Sequence, residues 1–265
     1  MIITHQEMMC NDIYPLVVSL SNLSGDRRAQ GIFSCEREYK MENTAILVDG
    51  AFFIKRARSI FGVKSPKELA DLLCQHCHKH LSSSKGKTKN HLYRIFFYDC
   101  PPLSKKVFHP FLQKQIDLSK SSNSKWRLEL HEELKRVRKT ALRLGHVDDI
   151  NVTWAIRYDK IKALCSHKIN WNQLTEEDFS MNVKQKGVDM RIGIDITSLA
   201  LKKQVTQIIL ISGDSDFVPA AKFARREGID FILDPMWAPI KPDLYEHIDG
   251  LRSTFPNPNK NTPVP

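Results

Sequence analysis

Two aspartates one residue apart, Asp214 and Asp216, stand in "LISGDSDFVPAAKFARREG" (210–228), directly after an apolar run. Carboxylates placed so closely repel each other unless a positive charge lies between them, and clustered carboxylate oxygens suit a hard divalent cation such as Mg²⁺ or Mn²⁺. Other acids occupy comparable points. Asp49 ends "TAILVDG" (44–50), Asp189 lies in "KQKGVDMRIGIDITSLA" where a helix opens, and Asp99 and Asp234 close further apolar runs. Taken singly, each has a plain explanation, because an aspartate at the start of a helix caps free backbone N–H groups. Taken together, three or four carboxylates converging on one point call for cations, which orient a water, assist its deprotonation and stabilise in-line displacement at phosphorus. The chemistry expected is metal-dependent attack on a phosphodiester, with Asp49, Asp189, Asp214 and Asp216 as catalytic acids and metal ligands and Asp195 next to them. Asp195 lies six residues beyond Asp189, a turn of about 240° around a helix, so one of the two is expected to stand behind the ion's direct ligands.

These acids need a scaffold that brings distant segments together. Apolar runs at 44–50, 92–99, 150–158, 206–212 and 229–234 alternate with helical stretches at 65–81, 126–145, 190–203 and after residue 216. Strands separated by helices predict a parallel sheet with right-handed crossovers, covered on both faces: an α/β, Rossmann-like three-layer α/β/α arrangement. In such sheets functional groups gather just beyond the carboxyl ends of the strands, which is where the acids fall. "SPKELADLLCQHCHKHL" (65–81) opens with a serine cap, a proline in the first turn and an early glutamate, so its start is well marked. The stretch 126–145 reads as one long helix closed by Gly145.

Residues 1–40 carry no sustained period of 2 or 3.6 and their charges cancel, so they are expected to be a poorly structured, dispensable extension. Met41 opens a domain spanning 41–255, and 256–265, rich in Pro and Asn, is expected to be a disordered tail. Within the domain, 101–146 reads as a basic helical insert in which Lys and Arg greatly outnumber acids. Two readings of that charge stand side by side. One is a solvated helix face paired through Glu132 with Arg136 and Glu129 with Lys135. The other is an electrostatic guide for an RNA backbone through Lys125, Arg127, Lys135, Arg136, Arg138, Lys139 and Arg143, with Lys186 as a further phosphate contact and Phe108, Phe111 and Trp126 as stacking surfaces. The segment 231–253, with Trp237 and several prolines, is expected to pack over the sheet edge rather than to act as a lid.

The full chain of 265 residues has 42% hydrophobic residues, ample for a packed core, and a formal charge of +10, which leans toward a polyanionic partner. No apolar run approaches the roughly 18 residues a membrane span needs. Six scattered cysteines lack the density of a disulfide framework and suggest a reducing, cytoplasmic setting. Cys74 and Cys77 form a C-x-x-C, but no second pair follows, and the stretch continues a helix's apolar pattern. They are expected to be small core residues rather than zinc ligands.

"ILVDGAFF", "KGVD" with a second aspartate after it, and "LISGDSDFVPAAKFARREG", in this order, resemble the NYN domain of bacterial LabA-like proteins, part of the PIN-like nucleases. The resemblance spans roughly residues 44–235. It implies a Rossmann-like sheet, an acidic pocket at Asp49, Asp189, Asp214 and Asp216 with Asp195 next, Mg²⁺ or Mn²⁺ as cofactor, and an endoribonuclease whose partner is RNA. A membrane partner is not expected, and a homo-oligomer is left open. There is one departure. Many relatives read D-G-x-N after the first strand, whereas Phe52 stands where that Asn would fall. This motivates an alternative, a non-catalytic module that binds RNA or docks a partner. The last stretch also resembles the Gly-Asp-Ser segment of haloacid dehalogenase-type phosphatases, but that chemistry needs a second aspartate two residues after Asp49, and Ala51 stands there.

Overall fold

The computed structural model describes residues 43–82, 90–150 and 152–258. The expected extension 1–40 and most of the tail 256–265 lie outside the described residues. In chain order the regular elements are β1 (Asn43–Asp49), α1 (Gly50–Phe61), α2 (Pro66–Leu81), β2 (His91–Asp99), β3 (Lys106–His109), β4 (Lys114–Asp117), α3 (Ser122–Arg136) and β5 (Thr140–Leu144). Then come β6 (His146–Val147), β7 (Thr153–Ile156), α4 (Tyr158–Cys165), β8 (Phe179–Asn182), β9 (Gln185–Lys186), α5 (Val188–Leu201), β10 (Gln207–Ile211), α6 (Val218–Arg226), β11 (Asp230–Asp234), α7 (Pro242–Glu246) and β12 (Gly250–Leu251).

Runs of Ile, Leu, Val and Phe without polar alternation can only be accommodated where both faces of a sheet are covered. That is what β1, β2, β10 and β11 do in a six-stranded sheet of order β12-β11-β10-β1-β2-β5, every pairing of which is parallel. Successive side chains of β1 point to opposite faces. Ala45 and Leu47 join the core beneath α5 and α6, with Ile192, Ile196, Leu210 and Phe231. Ile46 and Val48 join the core beneath α1, α2 and α3, with Phe53, Leu73, Leu130 and Ile209. The fold is therefore the expected α/β three-layer arrangement.

Local signals set the element ends. Ser65 and Glu68 close a reciprocal capping box at the start of α2, with Pro66 in its first turn. Asp49 caps α1, which begins hard against β2: a Cβ on Gly50 would lie 2.5 Å from the carbonyl oxygen of Tyr98. No helix among the described residues is long and apolar enough to cross a membrane.

Two boundaries differ from expectation. The helix beginning near residue 126 ends at Arg136 rather than continuing to Gly145. Val137 adopts an extended conformation and Lys139 a positive φ of 61°, which turns the chain so that Thr140–Leu144 form β5 along the free flank of β2. Burial against that open edge outweighs continuation of the helical pattern, so 101–146 supplies a crossover helix and an edge strand of the main sheet. The run 150–158 does not enter the sheet either. Its β7 pairs antiparallel with β8, and its residues alternate between exposed and half-buried as a one-sided ribbon requires.

Candidate metal-binding acidic site

The direction of winding reverses between β1 and β10. From β1 the chain crosses to β2 through α1 and α2 on one face, and from β10 it crosses to β11 through α6 on the other. A crevice opens outside the carboxyl ends of strands at such a switch point. Asp49 ends β1, Asp214 and Asp216 follow β10, and Asp189 lies in the first turn of α5.

Hydrogen bonds fix the two strand ends relative to each other. Asp49 Oδ1 accepts from the backbone N–H of Phe52 at 3.0 Å, and its Oδ2 accepts from Ser212 Oγ at 3.4 Å. The same Ser212 hydroxyl oxygen, fully buried, accepts from the N–H of Asp214 at 3.3 Å. Asp214 Oδ1 accepts from the N–H of Asp216 at 3.0 Å and so caps the short turn Ser215–Phe217. Gly213 belongs here because of close approach: a Cβ would lie 3.1 Å from Cε2 of Phe52, whose ring rests against this turn.

The four acids form one electrostatic set. Burial raises the proton affinity of Asp49, and the charges of Asp189 and Asp214 raise it further, against the hydrogen bonds from Phe52 and Ser212. Asp189 is raised by burial and by the charges of Asp214 and Asp216. Among the described residues no Lys, Arg or His forms an ion pair with Asp49, Asp189, Asp214 or Asp216. Hard oxygen donors that repel one another without a resident cation fit a divalent metal ion. From Asp189 and Asp216 a groove runs between α5 and α6, floored by Phe217 and Phe223.

Asp195 is engaged differently. Its carboxylate accepts from Tyr98 Oη at 2.8 Å and from Arg143 Nη2 at 3.0 Å, so its charge is compensated within the protein. Burial, together with the adjacent Asp195 charge, pushes the Tyr98 phenol far up, which keeps it a proton donor. Asp99 and Asp234 also end strands but are fully buried and partnered. Asp99 Oδ2 lies 2.8 Å from His131 Nε2 and 3.3 Å from Arg127 Nε. Asp234 meets His76 and His80.

The basic residues are mostly paired. Arg127 is bound to Asp99, Lys135 to Glu132 at 2.7 Å, Arg136 to Glu133 at 2.6 Å, Arg143 to Asp195, and Lys186 to Asp148 at 2.6 Å. The helix pairs are thus i,i+3 pairs, not Glu132 with Arg136 or Glu129 with Lys135. Lys139 donates to the carbonyl of Leu92, while Lys125 and Arg138 are exposed and form no ion pair among the described residues. Trp126 donates from Nε1 to the carbonyl of Lys64 at 3.0 Å and packs on the core, whereas Phe108 is exposed and Phe111 stacks on Phe179.

Two site residues escaped the sequence reading. Ser212 stood inside the apolar run "LIS", and a polar residue closing such a run was the available signal. Lys241, whose Nζ donates to Ser215 Oγ at 3.0 Å, arrives from the segment between β11 and α7, and nothing local in the sequence announces it. That segment is pinned: Met236 is fully buried, Arg56 donates to its carbonyl at 2.6 Å, and Trp237 Nε1 donates to the carbonyl of Phe255 at 2.7 Å.

Comparison with known proteins finds a structural likeness to a protein of unknown function from Vibrio parahaemolyticus RIMD 2210633, at 14% identity and a TM-score of 0.42, covering 82% of this chain and 95% of that one. No curated protein matches. Residues 124–238 match the NYN domain family model, a range that includes Asp189, Asp214 and Asp216 and leaves Asp49 on the sheet's central strand outside it. With the parallel sheet and its acidic switch point in place, residues 124–238 are similar to the NYN domain, a family of the PIN-like superfamily.

Proposed function

We propose that this protein is a metal-dependent endoribonuclease of the LabA-like kind, with Asp49, Asp189, Asp214 and Asp216 as its catalytic and metal-holding residues. One observation carries the reading: the charges of Asp49, Asp189, Asp214 and Asp216 act on one another beside the switch point with no cationic partner among the described residues, while Asp99 and Asp234 are held by histidines. Mg²⁺ or Mn²⁺ held by these carboxylates would supply Lewis acidity at the phosphate and a water more easily deprotonated. Ser212 sets the spacing of Asp49 and Asp214 by bonding to both. Asp49, raised by burial and like charge, is suited to take a proton from a water once a neighbouring charge is offset. Lys241 stands beside the acidic turn as a point charge for a phosphate oxygen. Lys125 and Arg138 are the basic residues of α3 and its following turn that can meet RNA phosphates without first breaking an ion pair or, as for Lys139, a hydrogen bond.

A second reading, an RNA-binding module without cleavage, is favoured by the Phe52 ring, which lies against Gly213 where relatives of this kind place an Asn. Purified protein incubated with mixed RNAs and DNAs in Mg²⁺, Mn²⁺ or EDTA separates the two. The nuclease reading expects RNA cleavage that needs the metal and disappears in Asp214→Asn, with RNA binding retained. Cleavage indifferent to EDTA or to that substitution would overturn it, and salt-sensitive binding with no cleavage would establish the second reading.

A further inference from the structure

The stretch "CQHCHKH" finds no use in the acidic site, and its cysteines behave as expected of helix residues: Cys77 is buried in the core and Cys74 half-buried. Its histidines behave otherwise. His76 and His80 are four apart on α2, hence on one face, and their rings meet edge-on at 5.1 Å between centroids. Both are essentially fully buried, as is Asp234 at the end of β11. The Nε2 atoms of His76 and His80 lie 2.8 Å and 2.7 Å from the same oxygen, Asp234 Oδ2.

These three side chains carry more than ordinary hydrogen bonding requires. His80 Nε2 has good hydrogen-bond geometry to Asp234, but His76 Nε2, although close, has no hydrogen-bond partner, so a fully buried ring nitrogen is turned into the cluster unsatisfied. His80 Nδ1 is likewise buried without a partner, while the remaining atoms of the cluster are braced. His76 Nδ1 is held by Thr254 Oγ1 at 2.6 Å, and Asp234 Oδ1 accepts from Met236 N at 2.7 Å and Ser253 Oγ at 2.9 Å, which leaves Oδ2 facing the imidazoles. A metal-bound histidine characteristically has its second ring nitrogen oriented by such an oxygen. The ligand-bearing atoms of all three residues lie within 4.8 Å of one another.

We propose that His76, His80 and Asp234 form a buried transition-metal site, best suited to Zn²⁺, that staples α2 to the end of β11 and to the chain at 252–255. Two imidazole nitrogens and one carboxylate oxygen favour zinc over the Mg²⁺ or Mn²⁺ expected of an all-oxygen set. Tetrahedral bonds of about 2.0 Å place ligand atoms roughly 3.3 Å apart, so binding moves Asp234 Oδ2 slightly away from the two imidazole nitrogens and gives the unsatisfied His76 Nε2 a partner. The three donors are fully buried, a water would complete the tetrahedron, and the role assigned to the ion is structural. The stapled segment also reaches α2 directly, through Arg252, which donates to the carbonyls of Lys79, His80 and Ser82, and through Phe255, stacked on His76 at 3.8 Å. The inference does not depend on the nuclease reading, because none of its ligands belongs to the acidic site.

The test uses the full chain purified without chelator or histidine tag. Elemental analysis is expected to find about one zinc per chain in the wild type and in Asp214→Asn, and none in His80→Gln. The melting temperature should fall in 1,10-phenanthroline and recover with Zn²⁺. Should His80→Gln fail to fold, the chelated wild type decides: refilled with Co²⁺, it should show the visible bands of a tetrahedral nitrogen and oxygen site. A wild type that neither carries zinc nor takes up Zn²⁺ or Co²⁺, with a melting temperature indifferent to phenanthroline, would leave only a hydrogen-bonded cluster and overturn the proposal. Zinc retained by His80→Gln and lost from Asp214→Asn would overturn it too, by assigning the ion to the acidic site.

Discussion

Asp214 and Asp234 follow adjacent parallel strands, β10 and β11, yet the protein surrounds them in opposite ways. Asp234 is fully buried, and although burial alone would raise its proton affinity, the close approach of the His76 and His80 imidazoles prevails and holds it well below the usual carboxylate range. Asp214 is exposed, among three further carboxylates and without a cationic partner among the described residues. The same contrast separates Asp99, bound by His131 and Arg127, from Asp49 on the neighbouring strand. The difference teaches how to tell an acid partnered by the chain from one left among like charges at the rim of a parallel sheet. A structural carboxylate is held by hydrogen-bonding or cationic side chains of the chain itself, whereas a site for a dissociable hard cation leaves its carboxylates among like charges.

Breaking the contrast on its acidic side should have the largest effect. Asp214→Asn is expected to reduce RNA cleavage on the order of 10²- to 10³-fold while the fold survives, read as initial rates in Mn²⁺ beside a thermal melt. A loss of folding in parallel would show that Asp214 is a structural acid after all. Next in size is the response to the ion. Mn²⁺ at a hundred times its Kd should stabilise the wild type by about 2.7 kcal/mol. In the Asp189→Asn, Asp214→Asn double variant that gain should vanish, and an equal gain in both would place the ion elsewhere.

On the buried side the expected loss is of stability. His131→Ala removes a hydrogen bond to a buried carboxylate and should cost about 2 kcal/mol in urea unfolding, and a neutral outcome would mean that Arg127 alone satisfies Asp99. The two classes also differ in pH dependence. In EDTA, folded Asp49 and Asp189 keep protons that the unfolded chain has already released, so stability declines as pH rises through the interval just above the ordinary carboxylate range. Asp234 has the opposite sign: its contribution is present at neutral pH and is lost only as pH falls below that range. Unfolding titrations at stepped pH should show the first decline flattened in Asp49→Asn; an unchanged slope would count against the shared charge of the cluster. The smallest effect concerns RNA contact. Replacing Lys125 and Arg138 with Gln should weaken binding modestly and lower the salt slope by about two, whereas replacing the paired Lys135 and Arg136 should do less.

Much of the scaffold was legible because its signals are local. Continuous apolar runs mark β1, β2, β10 and β11, and Ser65, Pro66 and Glu68 mark the start of α2. The misplaced elements are those whose conformation depends on a neighbour. Thr140–Leu144 carry helical spacing but find an open flank of β2, and 150–158 carries strand composition but pairs with β8 outside the sheet. Likewise Asp49, Asp189, Asp214 and Asp216 were readable as acids at element ends, since that position follows from the chain order of strands and helices.

What the order of residues determined by itself was the set of candidate acids and the sheet that carries them, because both rest on periodicity and on residue type at strand ends. Which acids remain unbalanced was decided in three dimensions. Asp195 is taken up by Tyr98 and Arg143, Asp99 by His131 and Arg127, and Asp234 by two histidines of α2, all through partners 28 or more residues away in the chain. Charge compensation acts through space over a few ångströms, and only folding brings a carboxylate and its partner within that range.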